Sequence, residues 1–139
     1  MNDWLQYHNP DVMDCGIDDV IGPPFSVLSD KVIVPYEGVR IWVVGRRAAA
    51  DSEIYLGGWM IVDGIRASSH PRFLYEYYGD SGVDLDPMPA ISAEEWYGAL
   101  LKLTRNFRFG LTELKQPKVA AGLHALAEEY VPRPRKRRR

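Results

Sequence analysis

Short apolar runs rich in β-branched and aromatic residues fill the first half of the chain and predict strands separated by turns. The candidate strands are residues 4–7, 25–28, 32–34, 39–44, 53–56 and 59–65. Gly57 and Gly58 separate the last two runs and predict a bulge or tight bend within a barrel strand. Residues 66–91 are polar and punctuated by Pro and Gly, which predicts a long loop with at most a short strand near Phe73.

A first helix is predicted after this loop. Ser92 and Glu95 have the three-residue spacing of a capping box, with Ser92 as the N-cap. Trp96, Leu100 and Leu103 follow at helical spacing and fall on one apolar face. The pattern therefore predicts a helix that covers the strands with this face.

A second helix is predicted near the end of the chain. It begins at Pro117, because proline is favoured at the first helical position, and it ends at Pro132. Its apolar stripe comprises Val119, Leu123, Leu126 and Tyr130. Between the two helices, residues 105–111 alternate in polarity and predict a return of the chain to the sheet.

Strands followed by two helices indicate an α+β fold. We expect a small twisted β-barrel of five to six strands, with the two C-terminal helices packed outside it. The chain has 139 residues, of which 46% are hydrophobic, and this suffices for one domain with its own core. We assign that domain to residues 1–131 and expect residues 132–139 to form a disordered basic tail.

Charge divides the chain into an acidic body and this basic tail. The tail holds six of the 17 Lys and Arg residues, which leaves 11 against 19 Asp and Glu, a net charge of about −8 for residues 1–132. A run this basic can neutralise phosphates, lie on an anionic membrane, act as an address signal, or remain a solvated tail. Because the body is acidic, any contact it makes with nucleic acid should occur in a local pocket.

Cysteine usage and hydropathy indicate the compartment. Cys15 is the only cysteine, so a reducing cytoplasm is the natural setting. The first 30 residues are acidic where a signal peptide would be basic and apolar. No apolar stretch approaches the roughly 18 residues needed to cross a bilayer. We expect a cytoplasmic protein with no membrane partner.

Residues with catalytic potential do not form a recognisable set. Residues 10–11 and 113–115 resemble the acidic-plus-ExK pattern of metal-dependent nucleases, but both pieces lie in predicted loops and are far apart in the chain. His8, His70 and His124 lack the spacing of metal ligands, and a single cysteine argues against the usual zinc sites. We expect no enzymatic activity from this chain on its own, no metal and no cofactor.

Three short segments, residues 7–10, 57–59 and 106–110, place aromatic rings beside polar or flexible residues. Asn and His side chains can hydrogen-bond to the edge of a nucleic-acid base, and aromatic rings can stack on its face. The alternative is structural, with Trp59 and the phenylalanines in the core and with Asn9 and Asn106 holding turns. The residues alone leave both interpretations open.

Five segments, in chain order, are similar to motifs of a known group of domains. They are residues 4–13 (WLQYHNPDVM), 27–31 (VLSDK), 41–45 (IWVVG), 55–63 (YLGGWMIVD) and 105–114 (RNFRFGLTEL). The first resembles the start of EVE domains, which belong to the PUA-like superfamily. It is still more similar to the start of the N-terminal domains of predicted HNH-nuclease restriction proteins. The similarity covers nearly the whole chain.

The resemblance implies a PUA-like, EVE-like barrel that accepts a nucleotide base, often a modified one, in a pocket between the first strand and later loops. The pocket residues it suggests are His8, Asn9, Pro10, Trp59, Asn106 and Phe107. The candidate phosphate-binding residues are Lys31, Arg133, Arg135, Lys136, Arg137, Arg138 and Arg139. Asp14 replaces a usual glycine, Asp30 replaces a common asparagine, and no nuclease follows Tyr130.

We therefore expect a non-catalytic nucleic-acid-binding module related to modification-dependent restriction. Its partner would be nucleic acid, with DNA favoured over RNA, and a separate nuclease subunit is a further candidate. The alternative is a protein-interaction module or inhibitor subunit whose basic tail docks an acidic partner. Nucleic-acid binding should weaken steeply with salt through counterion release, which distinguishes the two hypotheses.

Overall fold

A computed structural model describes residues 3–10, 16–17, 25–48, 50–108 and 110–130. Within these residues the chain forms eight strands and two helices, an α+β fold as predicted. The strands are β1 (Asp3–His8), β2 (Phe25–Ser29), β3 (Arg40–Gly45), β4 (Tyr55–Ile61), β5 (Gly64–Ala67), β6 (Tyr75–Gly79), β7 (Gly82–Asp84) and β8 (Leu111–Glu113). The helices are α1 (Tyr97–Thr104) and α2 (Pro117–Glu129).

The strands form two sheets. The larger sheet has the order β7-β4-β3-β1-β8, in which β1 and β3 are parallel and the other neighbours are antiparallel. The smaller sheet has the order β2-β6-β5 and is antiparallel. β2 is therefore an edge strand of the smaller sheet, while β1 lies inside the larger one.

The larger sheet is covered on both faces, which explains why β3 is an unbroken apolar run. Trp42 and Val44 belong to one buried cluster, which contains the apolar faces of α1 and α2. Ile41 and Val43 alternate with them and belong to a second cluster, shared with the smaller sheet. Successive side chains of a strand point to opposite faces, so every residue of such a central strand has to be apolar.

The bulge predicted at the paired glycines is confirmed. Val43 pairs with Gly58 and Val44 pairs with Leu56, so Gly57 is the extra residue in β4. Gly58 has φ = 152°, and a Cβ atom there would lie 1.9 Å from the carbonyl oxygen of Val83. Only glycine allows β7 to approach β4 this closely.

The strand count of five to six was wrong. The segment predicted as a long loop contains β6 and β7, whose aromatic and polar residues masked the strand pattern. Conversely, residues 32–34 form no strand, although they were predicted as one. The hydroxyl of Tyr77 instead fixes this segment, since it accepts a hydrogen bond from the Ile33 backbone N–H at 2.8 Å.

The predicted capping box at Ser92 was also wrong. The Ser92 hydroxyl donates to the Glu53 carboxylate at 2.5 Å, and α1 begins only at Tyr97, with no side-chain cap at Trp96. The predicted apolar face is confirmed, because Trp96 and Leu100 are buried. Gly122 of α2 makes room for the Trp96 indole, since a Cβ atom there would lie 2.2 Å from Trp96 Cδ1.

The second helix agrees with its prediction. Pro117 opens α2, and the buried side of the helix contains Val119, Leu123 and Leu126. The helix ends at Glu129, with Tyr130 as its C-cap. The predicted terminator Pro132 and the basic tail lie outside the described residues. Among the residues that the structure describes, no helix is long and apolar enough to cross a membrane.

Candidate functional site

A pocket of about 370 Å³ lies where β1 approaches the edge strand β2. Its lining comes from the end of β1, from β2, from the segment before β8, and from two residues elsewhere. The lining residues are Gln6, Tyr7, His8, Asn9, Ser26, Val27, Leu28, Val43, Phe73, Phe107, Arg108 and Gly110. Tyr7, His8, Val27 and Val43 are buried and lie deepest, whereas Ser26, Arg108 and Gly110 are exposed and form the rim.

Strand alternation places a polar side chain on the wall of this pocket. Leu5 and Tyr7 belong to the cluster beneath the helices, so Gln6 and His8 point to the opposite face. On that face the ladder of the smaller sheet ends at β2, for which the described part of the chain supplies β6 as the one paired neighbour. The pocket therefore occupies the gap between two sheets that approach each other without pairing.

The Gln6 side chain bridges this gap in place of a strand ladder. Its Nε2 donates a hydrogen bond to the Leu28 carbonyl oxygen of β2 at 3.1 Å. The Oε1 atom of the same amide is buried and has no hydrogen-bond partner among the described residues. Gln6, which lines the pocket, thus carries a buried hydrogen-bond acceptor that no described residue satisfies.

Two residues of the lining, Tyr7 and Phe107, stack on each other and pack against the cluster beneath the helices. The rings of Tyr7 and Phe107 are 4.7 Å apart between centroids, with an interplanar angle of 18°. Tyr97 of α1 packs behind Phe107 with a centroid distance of 6.5 Å. Burial raises the pKa of Tyr97, and the neighbouring Glu53 charge raises it further, so this phenol stays neutral at physiological pH.

A left-handed turn presents Phe107 to the pocket. Arg105, Asn106 and Phe107 have φ values of 51°, 56° and 65°. Left-handed backbone costs roughly 1–2 kcal/mol per non-glycine residue, and bulky Phe107 is the least suited to it. Such strain persists only where surrounding contacts enforce it, and it concentrates at functional sites.

The buried hydroxyl of Thr104 supports this turn. It donates to the Leu100 carbonyl oxygen at 2.9 Å and accepts from the Phe107 backbone N–H at 3.2 Å. The Asn106 backbone N–H donates to the Leu101 carbonyl oxygen at 2.8 Å. At the far end of the segment, the Tyr7 backbone N–H donates to the Gly110 carbonyl oxygen at 3.2 Å. The segment is therefore attached to α1 at one end and to β1 at the other.

Three of the six predicted pocket residues come together here, namely His8, Asn9 and Phe107. Pro10 is buried next to them in the chain but does not line the pocket. Asn106 is exposed, and the turn directs its neighbour Phe107 inward. Trp59 does not line the pocket either. It packs edge-on against Trp42, and the Arg40 guanidinium lies over it at 4.1 Å.

The predicted phosphate-binding residues fall in two places. Lys31 is exposed, and its ammonium group donates to the Leu111 carbonyl oxygen at 2.8 Å, one residue beyond Gly110 of the rim. The six basic residues of the tail lie outside the described residues. The rim residue Arg108 is a further cation at the pocket.

Gln6 was not predicted as a site residue, while Tyr7 and Arg108 lie in the predicted segments 7–10 and 106–110 but were not among the predicted pocket residues. Gln6 carried a usable signal, since it is a polar residue in the middle of an otherwise apolar and aromatic strand. An amide at such a position has to find a partner or face a cavity. No comparable signal identifies Phe73 or Ser26, because neither is unusual in its local segment.

A second polar group, the Asp3 cluster, comprises Asp3, Arg40, Trp42 and His124 and lies outside the pocket. Asp3 Oδ2 accepts from Trp42 Nε1 at 3.0 Å and from His124 Nε2 at 2.9 Å. Arg40 Nη1 donates to His124 Nδ1 at 3.2 Å, so the neutral imidazole carries its proton on Nε2. This cluster joins β1, β3 and α2.

Comparison with known proteins identifies no family for this chain. No protein-family model matches the chain, and no curated protein matches it significantly. Among the described residues, no group of three or more His, Cys, Asp or Glu side chains could hold a metal ion.

Proposed function

We propose that this protein is a non-catalytic reader of nucleic acid, which accepts one base in the pocket between β1 and β2. We further propose that its two sheets are parts of an EVE-like, PUA-like barrel. The observation behind this proposal is that one pocket combines the stacked Tyr7 and Phe107 rings with Gln6, His8 and Asn9. Aromatic faces stack on any base, whereas amide and imidazole groups can distinguish base edges.

The size of the pocket supports a single small ligand. At about 370 Å³ it lies near the lower end of the roughly 300–1,000 Å³ typical of small-molecule sites. A base in a duplex would have to rotate out of its stack to enter, which costs a few kcal/mol. Stacking on a protein aromatic ring is worth about 1–3 kcal/mol and offsets that cost.

The charge distribution supports separate roles for the pocket and the tail in binding nucleic acid. The body has a net charge of about −8, so it repels a phosphate backbone outside local basic positions such as Arg108. The six cations of the tail would supply phosphate affinity without regard to sequence. Phosphate contacts position a nucleic acid, and contacts to base edges choose it, so specificity would come from the pocket alone.

The test measures fluorescence anisotropy of short single-stranded DNA and RNA that differ at one central position, including modified bases. Wild type should prefer some bases, and Phe107→Ala should weaken the preferred ones by about tenfold, because stacking is lost. Tyr130→Ala truncates an aromatic ring at the end of α2, outside the pocket, and should leave the base preference unchanged. Equal binding of the whole panel by wild type would refute the proposal.

Deletion of residues 133–139 separates the tail from the pocket. The magnitude of the slope of log K against log salt should fall by up to about four, given six charges and roughly 0.7 per neutralised phosphate of a single strand. The base preference should survive the deletion. A preference that disappears with the tail would assign recognition to the tail instead of the pocket.

A protein-interaction function is the second candidate, and one observation favours it. Val34 and Leu74 are 85% and 63% exposed, and Val32 is 47% exposed, which is unusual for large apolar side chains. If no nucleic acid binds with base preference, Val34→Ser and Leu74→Ser variants should lose a protein partner. If the base panel behaves as proposed, the same variants should bind oligonucleotides like wild type.

A further inference from the structure

We infer that Gln6 selects the base, because its side-chain oxygen requires a ligand that donates a hydrogen bond. The ligand class is a base with an amino group at C4 of a pyrimidine or C6 of a purine, as in cytosine or adenine, in preference to thymine, guanine or hypoxanthine, which carry a carbonyl group there. This inference rests on the proposed function of the pocket and specifies which bases it accepts.

The contact with β2 determines the orientation of the Gln6 amide. Its nitrogen lies 3.1 Å from the Leu28 carbonyl oxygen and donates to it. Rotating the amide by half a turn would place Gln6 Oε1 against that carbonyl oxygen, and two acceptors facing each other repel. The contact with β2 therefore fixes Oε1 as the atom that is left for a ligand.

This oxygen, Gln6 Oε1, is buried without a hydrogen-bond donor among the described residues. Buried polar atoms are rarely left without a partner, because the loss of hydration is not recovered. Gly110 of the pocket rim lies beside the amide, where an added Cβ atom would stand 3.5 Å from Gln6 Nε2 and 3.6 Å from Oε1.

The chemistry of bases can be matched to this acceptor. Cytosine and adenine carry amino groups with N–H donors, whereas thymine and guanine carry carbonyl oxygens at the corresponding positions. An amino group would satisfy Gln6 Oε1. A carbonyl oxygen in its place would leave two acceptors in contact within a buried pocket, and an unsatisfied buried group of this kind costs tenfold or more in affinity.

The experiment uses pairs of bases that share a shape and differ at this edge. The full chain is titrated with oligonucleotides containing 5-methylcytosine or thymine, and adenine or hypoxanthine, at one position. Wild type should bind the amino member of at least one pair at least tenfold more tightly. Gln6→Met, which keeps the length of the side chain but removes the acceptor, should reduce this preference to threefold or less. Gln116→Met is the matched control on the exposed N-cap of α2 and should keep the full preference.

Circular dichroism establishes that each variant is folded. The comparison of the amino base with the carbonyl base of each pair is made on the wild-type protein and needs no variant. If Gln6→Met does not fold, Gln6→Leu takes its place, since it also lacks the acceptor and should likewise reduce the preference to threefold or less. Equal binding of both members in both pairs, with Phe107→Ala still weakening all of them, would overturn this inference and leave the proposed function intact. An amino preference that the folded Gln6 variant leaves unchanged would also overturn it. Wild type that binds none of these bases would overturn both.

Discussion

Polar side chains at the two ends of β1 differ in how completely they are hydrogen-bonded. At its first residue, Asp3 accepts hydrogen bonds from Trp42 and His124, and the carboxylate is enclosed by β3 and α2. Near its other end, Gln6 bonds to β2 with its nitrogen and leaves its oxygen to the pocket. The first arrangement pairs the carboxylate within a structural cluster, although Arg40 Nε of that cluster is buried without a partner among the described residues. The second leaves an unpaired acceptor on a residue that lines a pocket. Satisfied buried polar groups stabilise a fold, while an unsatisfied one at a cavity indicates a ligand.

The largest effect is expected at the Asp3 end of β1. Asp3→Ala leaves the fully buried Trp42 indole N–H without its acceptor, which should lower the free energy of unfolding by about 2–3 kcal/mol. Urea denaturation measures the change, and oligonucleotide affinity should be unaffected by it at temperatures where the variant is folded. Asp3→Asn keeps one acceptor oxygen and should cost less. A loss below about 0.5 kcal/mol, the level of an ordinary surface substitution, would contradict a structural role for the Asp3 cluster.

A smaller effect is expected at Thr104, which connects α1 to the pocket. Thr104→Val keeps the shape of the buried side chain but removes the acceptor of the Phe107 backbone N–H. We expect a loss of about 1–2 kcal/mol in stability and a further loss of base preference, because Phe107 is no longer held in its left-handed conformation. Serine at the same position keeps the hydroxyl group and should preserve the base preference. If the Thr104→Val and Thr104→Ser variants show the same base preference, other contacts hold the turn.

At the Gln6 end of β1, removal of a polar group should cost little stability. Gln6→Met loses the hydrogen bond to Leu28 but also removes a buried acceptor that has no partner among the described residues. These two effects oppose each other, so the free energy of unfolding should change by less than about 1 kcal/mol. Thermal and urea unfolding measure it beside Asp3→Ala. A cost equal to that of Asp3→Ala would show that both ends of β1 are structural.

The smallest effect is expected at Asn106. Its side chain is exposed and its φ is 56°, a conformation that glycine adopts freely. Asn106→Gly should change stability by less than about 0.5 kcal/mol and leave the base preference as it is. Loss of the preference would mean that the Asn106 side chain reaches the base, as the resemblance to EVE domains suggested.

Much of the fold followed from local patterns. The unbroken apolar run of β3, the glycine pair at the bulge of β4 and Pro117 at the start of α2 all predicted the observed elements. Features that depend on contacts between residues far apart in the chain were not predicted. Ser92 has the spacing of a capping residue but bonds to Glu53, which lies 39 positions away in the chain.

The pocket was predictable only in part, for a similar reason. His8 and Asn9 follow β1 directly, and Phe107 stood out in an aromatic segment. Trp59 was a reasonable candidate as an indole beside two glycines, but it is half-buried outside the pocket, where it packs against Trp42 and beneath the Arg40 guanidinium. The role of Gln6 depends on the approach of edge strand β2, and no local pattern encodes that contact.

The most direct test of a base site between β1 and β2 is an NMR titration of the isotope-labelled full chain with an oligonucleotide carrying its preferred base. We expect the backbone amides of Tyr7, Asn9, Phe107 and Gly110 and the Gln6 side-chain amide to shift together as the base enters. The Trp42 indole N–H, held by Asp3 outside the pocket, should stay in place and serves as the internal reference. Shifts confined to the tail, or shifts centred on Trp42 with a silent Gln6 amide, would contradict a base site between β1 and β2.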